Sequence, residues 1–149
     1  MIPLLVLIVA AISARALGAI AVDDLDSWHA AARLGLAAML VLTASAHFGS
    51  RRPDLIRMVP PSLPQPALLV ILTGVAELAL AVGLVIEPTA KPASLVLIGL
   101  LVAMFPANVH AARSGVGIGD RPPTPLMPRA VMQLLFIATA ATVYIGGRS

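Results

Sequence analysis

Apolar residues run through this chain in long blocks rather than in strict alternation. A helix rising about 1.5 Å per residue crosses a bilayer core in about 17–25 residues. Five blocks meet that length, and the spans they predict are about 2–22, 30–48, 67–86, 94–112 and 129–146. Between them DDLDS, PPSLPQP, EPTAKP and SGVGIGDRPPTPLMP supply the caps and prolines that stop and start helices. None of these joints could fold by itself, so residues 1–149 read as a single membrane domain.

Composition agrees with this pattern. The chain is 59% hydrophobic and 11% charged, with a mean hydropathy of +0.97, whereas soluble domains carry about a quarter charged residues. An all-α integral membrane protein is expected. Aromatic residues are scarce, so packing rests on Leu, Val, Ile, Ala and Gly. The chain has no cysteine, which excludes thiol redox chemistry within it. Any redox role must draw its electrons from another protein.

The first block, MIPLLVLIVAAISARALGAIA, ends in a small-x-small pattern at Ala19-Ile20-Ala21, like a signal-peptidase site. No basic residue precedes its apolar run, so a retained helix is expected instead.

Net charge is +3 and the pI about 10.6, but the basic residues form no run or stripe of the kind nucleic acid requires. Their distribution reports topology. Arg51, Arg52 and Arg57 share one loop and Arg113, Arg121 and Arg129 another, while the first loop is acidic through Asp23, Asp24 and Asp26. The positive-inside rule places both arginine-rich loops in the cytoplasm, the N-terminus inside and Ser149 outside. A bacterial-type inner membrane is the expected setting. Trp28 and Tyr144 then fall at the outer interface, where amphipathic rings prefer to sit. DDLDSWH could hold a cation through its aspartates and His29, but it reads better as an acidic cap on the second span.

Charged side chains within a span cost about 2.5–3.5 kcal/mol on insertion scales, so each calls for a partner or a role. The candidates are Arg15, His47, Glu77, Asn108, Gln133 and the interfacial Arg129. Counting along the helices puts Arg15 about 18 Å and Glu77 about 15 Å from the inner edge, so these two can pair unless Arg15 reaches outward instead. His47, Asn108 and Arg129 with Gln133 fall at one level toward the cytoplasm, with Glu77 above them.

Arg33, Ala37, Leu40, Ala44 and His47 share one face of the second span, and Thr73 lies one turn from Glu77. Gly99, Ala103, Ala107 and Ala111 form a small-residue stripe that predicts the fourth span as a central packing element. Within FPANVHAAR, Pro106 lacks an N–H and displaces the carbonyl of Val102, which predicts a kink and a spare acceptor beside Asn108. Asn108 reads either as the floor of a polar pocket or as a backbone partner; His110, beside Arg113, reads as interfacial. His47 reads as a general acid or base, or as a helix cap. No metal-ligand spacing or phosphate-cradling loop is present, and GVGIGD reads as a flexible turn.

The stretches HFGS, MVPPSLP, LTGVAELALAVGL, FPANVH and RAVMQLLFI, in this order, resemble the DoxX-like family of small bacterial membrane proteins over about residues 33–146. The resemblance implies a four-helix transmembrane bundle, here preceded by an additional N-terminal helix. Its shared polar positions match His47, Glu77, Asn108, Arg129 and Gln133. It also implies membrane redox partnerships, including thiosulfate oxidation feeding quinone, or in related eukaryotic proteins the assembly of membrane receptors. Such a spread does not fix a function.

The expected function is binding of a lipophilic small molecule, quinone or isoprenoid-like, within the membrane, as the subunit of a redox system with a membrane or soluble partner. Glu77 and His47 would be the catalytic, proton-handling pair, and Asn108, Arg129, Gln133 and Thr73 the ligand-binding residues. The alternatives are an assembly or interaction factor whose polar core is structural, homo-oligomers included, and an acid/base enzyme that isomerises or opens an epoxide on a lipid-soluble substrate.

Overall fold

The computed structural model describes residues 2–21 and 26–146. Asp23 and Asp24 of the acidic cap lie outside them. Among the described residues six helices follow one another: α1 (Ile2–Ile20), α2 (Trp28–Phe48), α3 (Arg52–Met58), α4 (Pro66–Val85), α5 (Glu87–Arg113) and α6 (Leu126–Gly146). All but α3 are long and apolar enough to cross a membrane, consistent with a multi-pass membrane protein. Apart from one isolated bridge between Ile118 and Arg121, all regular structure among the described residues is helical.

The central element is α2, which packs against α1, α4 and α6. Small residues explain why. Ala30, Ala31, Gly35, Ala37 and Ala44 are buried along it, and helices in lipid associate best where small side chains let backbones approach. A Cβ on Gly35 would stand 2.7 Å from the carbonyl oxygen of Leu7 on α1. The stripe on α5 has the opposite fate: Gly99 and Ala103 face outward, Ala107 is half-buried and only Ala111 is buried. The expectation that this helix is central is therefore corrected. The inward face of α5 is instead a different set, Ala90, Ala93, Ser94 and Leu97, with Ala111 shared by both.

EPTAKP, expected to separate two spans, is the start of α5. Ile86 alone joins α4 to α5, serving as C-cap of one and N-cap of the other. A helix can begin so early because Pro88 falls where a first-turn N–H has no partner to lose, and Glu87 meets the positive end of the helix dipole.

Arg33 holds this corner. Buried on α2, it donates from Nε to Leu84 O at 2.9 Å and from Nη2 to Val85 O at 2.6 Å, satisfying two carbonyls that the end of α4 leaves open. Nearby, the ring of His29 donates from Nε2 to Val143 O at 3.0 Å, tying α2 to α6. Ser27 caps α2 by accepting from Ala30 N at 3.0 Å.

Arg15 does not pair with Glu77. It turns outward to form an ion pair with Asp26, with its guanidinium 5.8 Å from the Trp28 ring centroid. A flexible side chain reaches the polar end of the bundle at less cost than a buried ion pair.

Candidate functional site

At the opposite end of the bundle, α2 ends at Phe48 and the short α3 follows, packing against α2, α4 and α5. Gly74 on α4 admits the end of α2: a Cβ there would meet His47 Cβ at 2.6 Å. His47 is thus carried against α4 beside Glu77, with Nδ1 3.9 Å from Glu77 Oε2. Gly74 stands three residues before Glu77 on α4, so the carboxyl group lies about one turn from the level of His47 and the two side chains meet across that step.

Glu77 is buried and accepts a hydrogen bond from the Thr43 hydroxyl at 2.7 Å. The threonine expected near Glu77 was Thr73, but its hydroxyl donates to the carbonyls of Leu69 and Val70 on its own helix, and it does not line the cavity described below. Thr43 takes the part. It stands four residues before His47 on α2, a spacing that places both on one face.

The Nδ1 of His47 lies 3.1 Å from Thr43 O. A carbonyl only accepts, so Nδ1 carries the proton in this bond and Nε2 is the free acceptor of the neutral ring.

A second polar group forms between α5 and α6. Arg129 donates from Nη1 to Asn108 Oδ1 at 3.2 Å and from Nε to Thr124 O at 2.9 Å. Asn108 Nδ2 donates to Gln133 Oε1 at 3.1 Å, and Gln133 Nε2 donates to Leu101 O at 2.7 Å. The backbone acceptor near Pro106 that is used from outside the helix is thus Leu101 rather than Val102. The helix runs on through Pro106 to Arg113. His110 lies near Ser114, 3.3 Å away, and does not line the cavity.

Both groups line one cavity of about 610 Å³, within the range of about 300–1,000 Å³ usual for small-molecule sites. Thr43, His47 and Glu77 stand on one wall, Asn108, Arg129 and Gln133 on the other. Met39, Leu40, Leu101, Met104, Met132 and Phe136 are among the apolar side chains that line it. At its outer end the wall is completed by Arg51, Leu55 and Met58 from the α3 region and by Ile118, Arg121 and Thr124 from the loop before α6.

That loop is docked on α3. Asp54 accepts from Gly119 N at 2.6 Å and from Arg57. Both contacts hold its carboxyl below the usual carboxylate range, the Gly119 amide contributing most. Gly119 has φ of 60°, a conformation that favours glycine. GVGIGD, expected as a flexible turn, is therefore a docking segment. Neither Thr43, α3 nor this loop was anticipated as part of the site. For Thr43 the spacing from His47 was a usable signal; for the other two only the fold supplies it.

The chain is, by its fold and site, a bundle of bilayer-length helices around a mainly apolar cavity that carries two polar groups. It belongs to the family defined by a domain of unknown function, DUF8561, whose model matches residues 36–144. The match takes in all six polar residues of the two walls and leaves α1 outside. No curated protein and no solved structure matches the chain.

Proposed function

We propose that this protein binds a lipophilic small molecule, isoprenoid or quinone-like, in the cavity between α2, α4, α5 and α6. The observation that carries this reading is the cavity itself, apolar in most of its wall and bearing two separate hydrogen-bonding groups. Glu77 and the free Nε2 of His47 suit proton exchange with a ligand oxygen, while Asn108, Arg129 and Gln133 suit holding it. With a quinone, the chain would serve as the membrane subunit of a redox system whose partner supplies the electrons, in keeping with the resemblance to DoxX-like bundles.

The same reading sets the protein in a bacterial-type inner membrane with its N-terminus in the cytoplasm. It is supported by the gathering of Arg51, Arg52, Arg57, Arg113, Arg121 and Arg129 at the cavity end, and by Trp28 and Tyr144 at the other.

Native mass spectrometry of the mildly solubilised protein, wild type beside Glu77→Gln, tests this. A discrete lipophile retained by wild type and lost from the variant is the expected result. Retention of none by either defeats the reading.

A second reading, an assembly or interaction factor, has its own support: Arg129, Asn108, Gln133 and Leu101 O satisfy one another without a ligand, and Gly99 and Ala103 offer a small-residue surface on α5. It requires that Glu77→Gln leave function intact and that Ala107→Leu abolish an association.

A further inference from the structure

The cavity is charged unevenly. Three arginines line it, Arg51 from the turn after α2, Arg121 from the loop before α6 and Arg129 from α6, against one carboxylate, Glu77. That carboxylate already accepts from Thr43 on the opposite wall from Arg129. Asp54 offsets Arg51 only through space and as the least of its interactions; its hydrogen bonds go to Arg57 and the Gly119 amide, and it does not line the cavity. Among the described residues, the side chains of Arg51 and Arg121 make no hydrogen bond or ion pair, and Arg129 leaves Nη2 unused.

Planar guanidinium donors match the paired oxygens of phosphate better than those of a neutral carbonyl ligand. Their positions also fit an amphiphile, since Arg51 and Arg121 are exposed and mark the outer end, while the apolar wall lies further in. Four of the chain's six methionines, Met39, Met58, Met104 and Met132, line this cavity. Unbranched thioether side chains adapt to an irregular, flexible occupant.

We propose that the ligand is an amphiphile with a phosphate head held by Arg51, Arg121 and Arg129 and an apolar chain lying among the cavity methionines. This rests on the lipophile reading above and narrows it, away from a neutral quinone.

The test uses the full chain in phosphatidylcholine nanodiscs, titrated with farnesyl monophosphate and with farnesol, which differ only in the head. Farnesyl monophosphate is expected to bind at least about tenfold more tightly, as charge-assisted bonds should. The double variant Arg51→Gln/Arg121→Gln is expected to fall to the farnesol level. Arg51→Lys/Arg121→Lys should recover part of the difference, and Arg113→Gln, outside the cavity, should change nothing.

Displacement by added phosphatidic acid would support the proposal and assign the phosphate to a bilayer lipid; its failure to compete would support an isoprenyl phosphate. Equal displacement by inorganic phosphate alone, with nothing gained from the chain, overturns the amphiphile. Equal binding of farnesol and its phosphate, unaltered in the arginine variants, overturns the anionic head and leaves the lipophile reading standing. If neither binds and native extraction yields no lipophile, both readings fall.

Discussion

Thr43 and Glu77 meet across the interface of α2 and α4, the hydroxyl donating to Oε2 at 2.7 Å. This one bond turns a buried carboxyl group toward the helix that also carries His47, and so gathers the proton-handling side chains onto one wall. Replacing Thr43 by Val removes the donor and keeps the shape. The variant should lose about 1–3 kcal/mol, the cost of leaving a buried polar group without its partner, whereas Thr43→Ser should retain most of the stability. Denaturation in mild detergent, read by circular dichroism, measures both.

Gly74 is where α4 admits the His47 side chain, and a methyl group there collides with it. Gly74→Ala should therefore destabilise the bundle by about 1–3 kcal/mol through overpacking. An unchanged or raised melting temperature would mean that α2 and α4 do not approach as described.

Arg33 closes the end of α4 and anchors the one-residue corner into α5. Arg33→Met keeps much of the apolar stem but opens two carbonyls, at about 1–3 kcal/mol for each one left unsatisfied. Hydrogen exchange should quicken over residues 83–90 before it does elsewhere, and uniform exchange would argue against a local anchor.

Asp54 couples the loop before α6 to α3. Its folded carboxyl titrates below the ordinary value of 3.8, chiefly through the Gly119 amide. A depressed folded pKa contributes stability above the unfolded value, and this contribution is lost as pH falls through the folded one. Docking should therefore persist at neutral pH and loosen only in acid. The Gly119 amide resonance should shift with a midpoint below 3.8, and Asp54→Asn should abolish that titration.

The absence of cysteine makes the orientation directly measurable. Glu87→Cys, at the corner between α4 and α5, should react with an impermeant maleimide in intact cells. Ser62→Cys, in the loop before α4, should react only after permeabilisation. The reverse pattern would invert the proposed topology.

Much of this architecture was legible because burial in lipid leaves a one-dimensional signature. Uninterrupted apolar length specifies a spanning helix wherever backbone groups must bond within their own segment. That physics determined the five long helices, the shared face of Arg33, Ala37, Leu40, Ala44 and His47, and the standing of Glu77, Asn108, Arg129 and Gln133 as polar residues in need of partners.

Which partners they find is a matter of relative height and rotation between helices, and neither is written in periodicity. Only the tertiary structure set the end of α2 against Gly74 of α4, so that His47 meets Glu77. It also chose Thr43 over Thr73, sent Arg15 outward to Asp26 and made α2 the hub. Apolar length acts on each helix separately, whereas a polar contact depends on two helices at once and is decided by where small residues let their backbones come close.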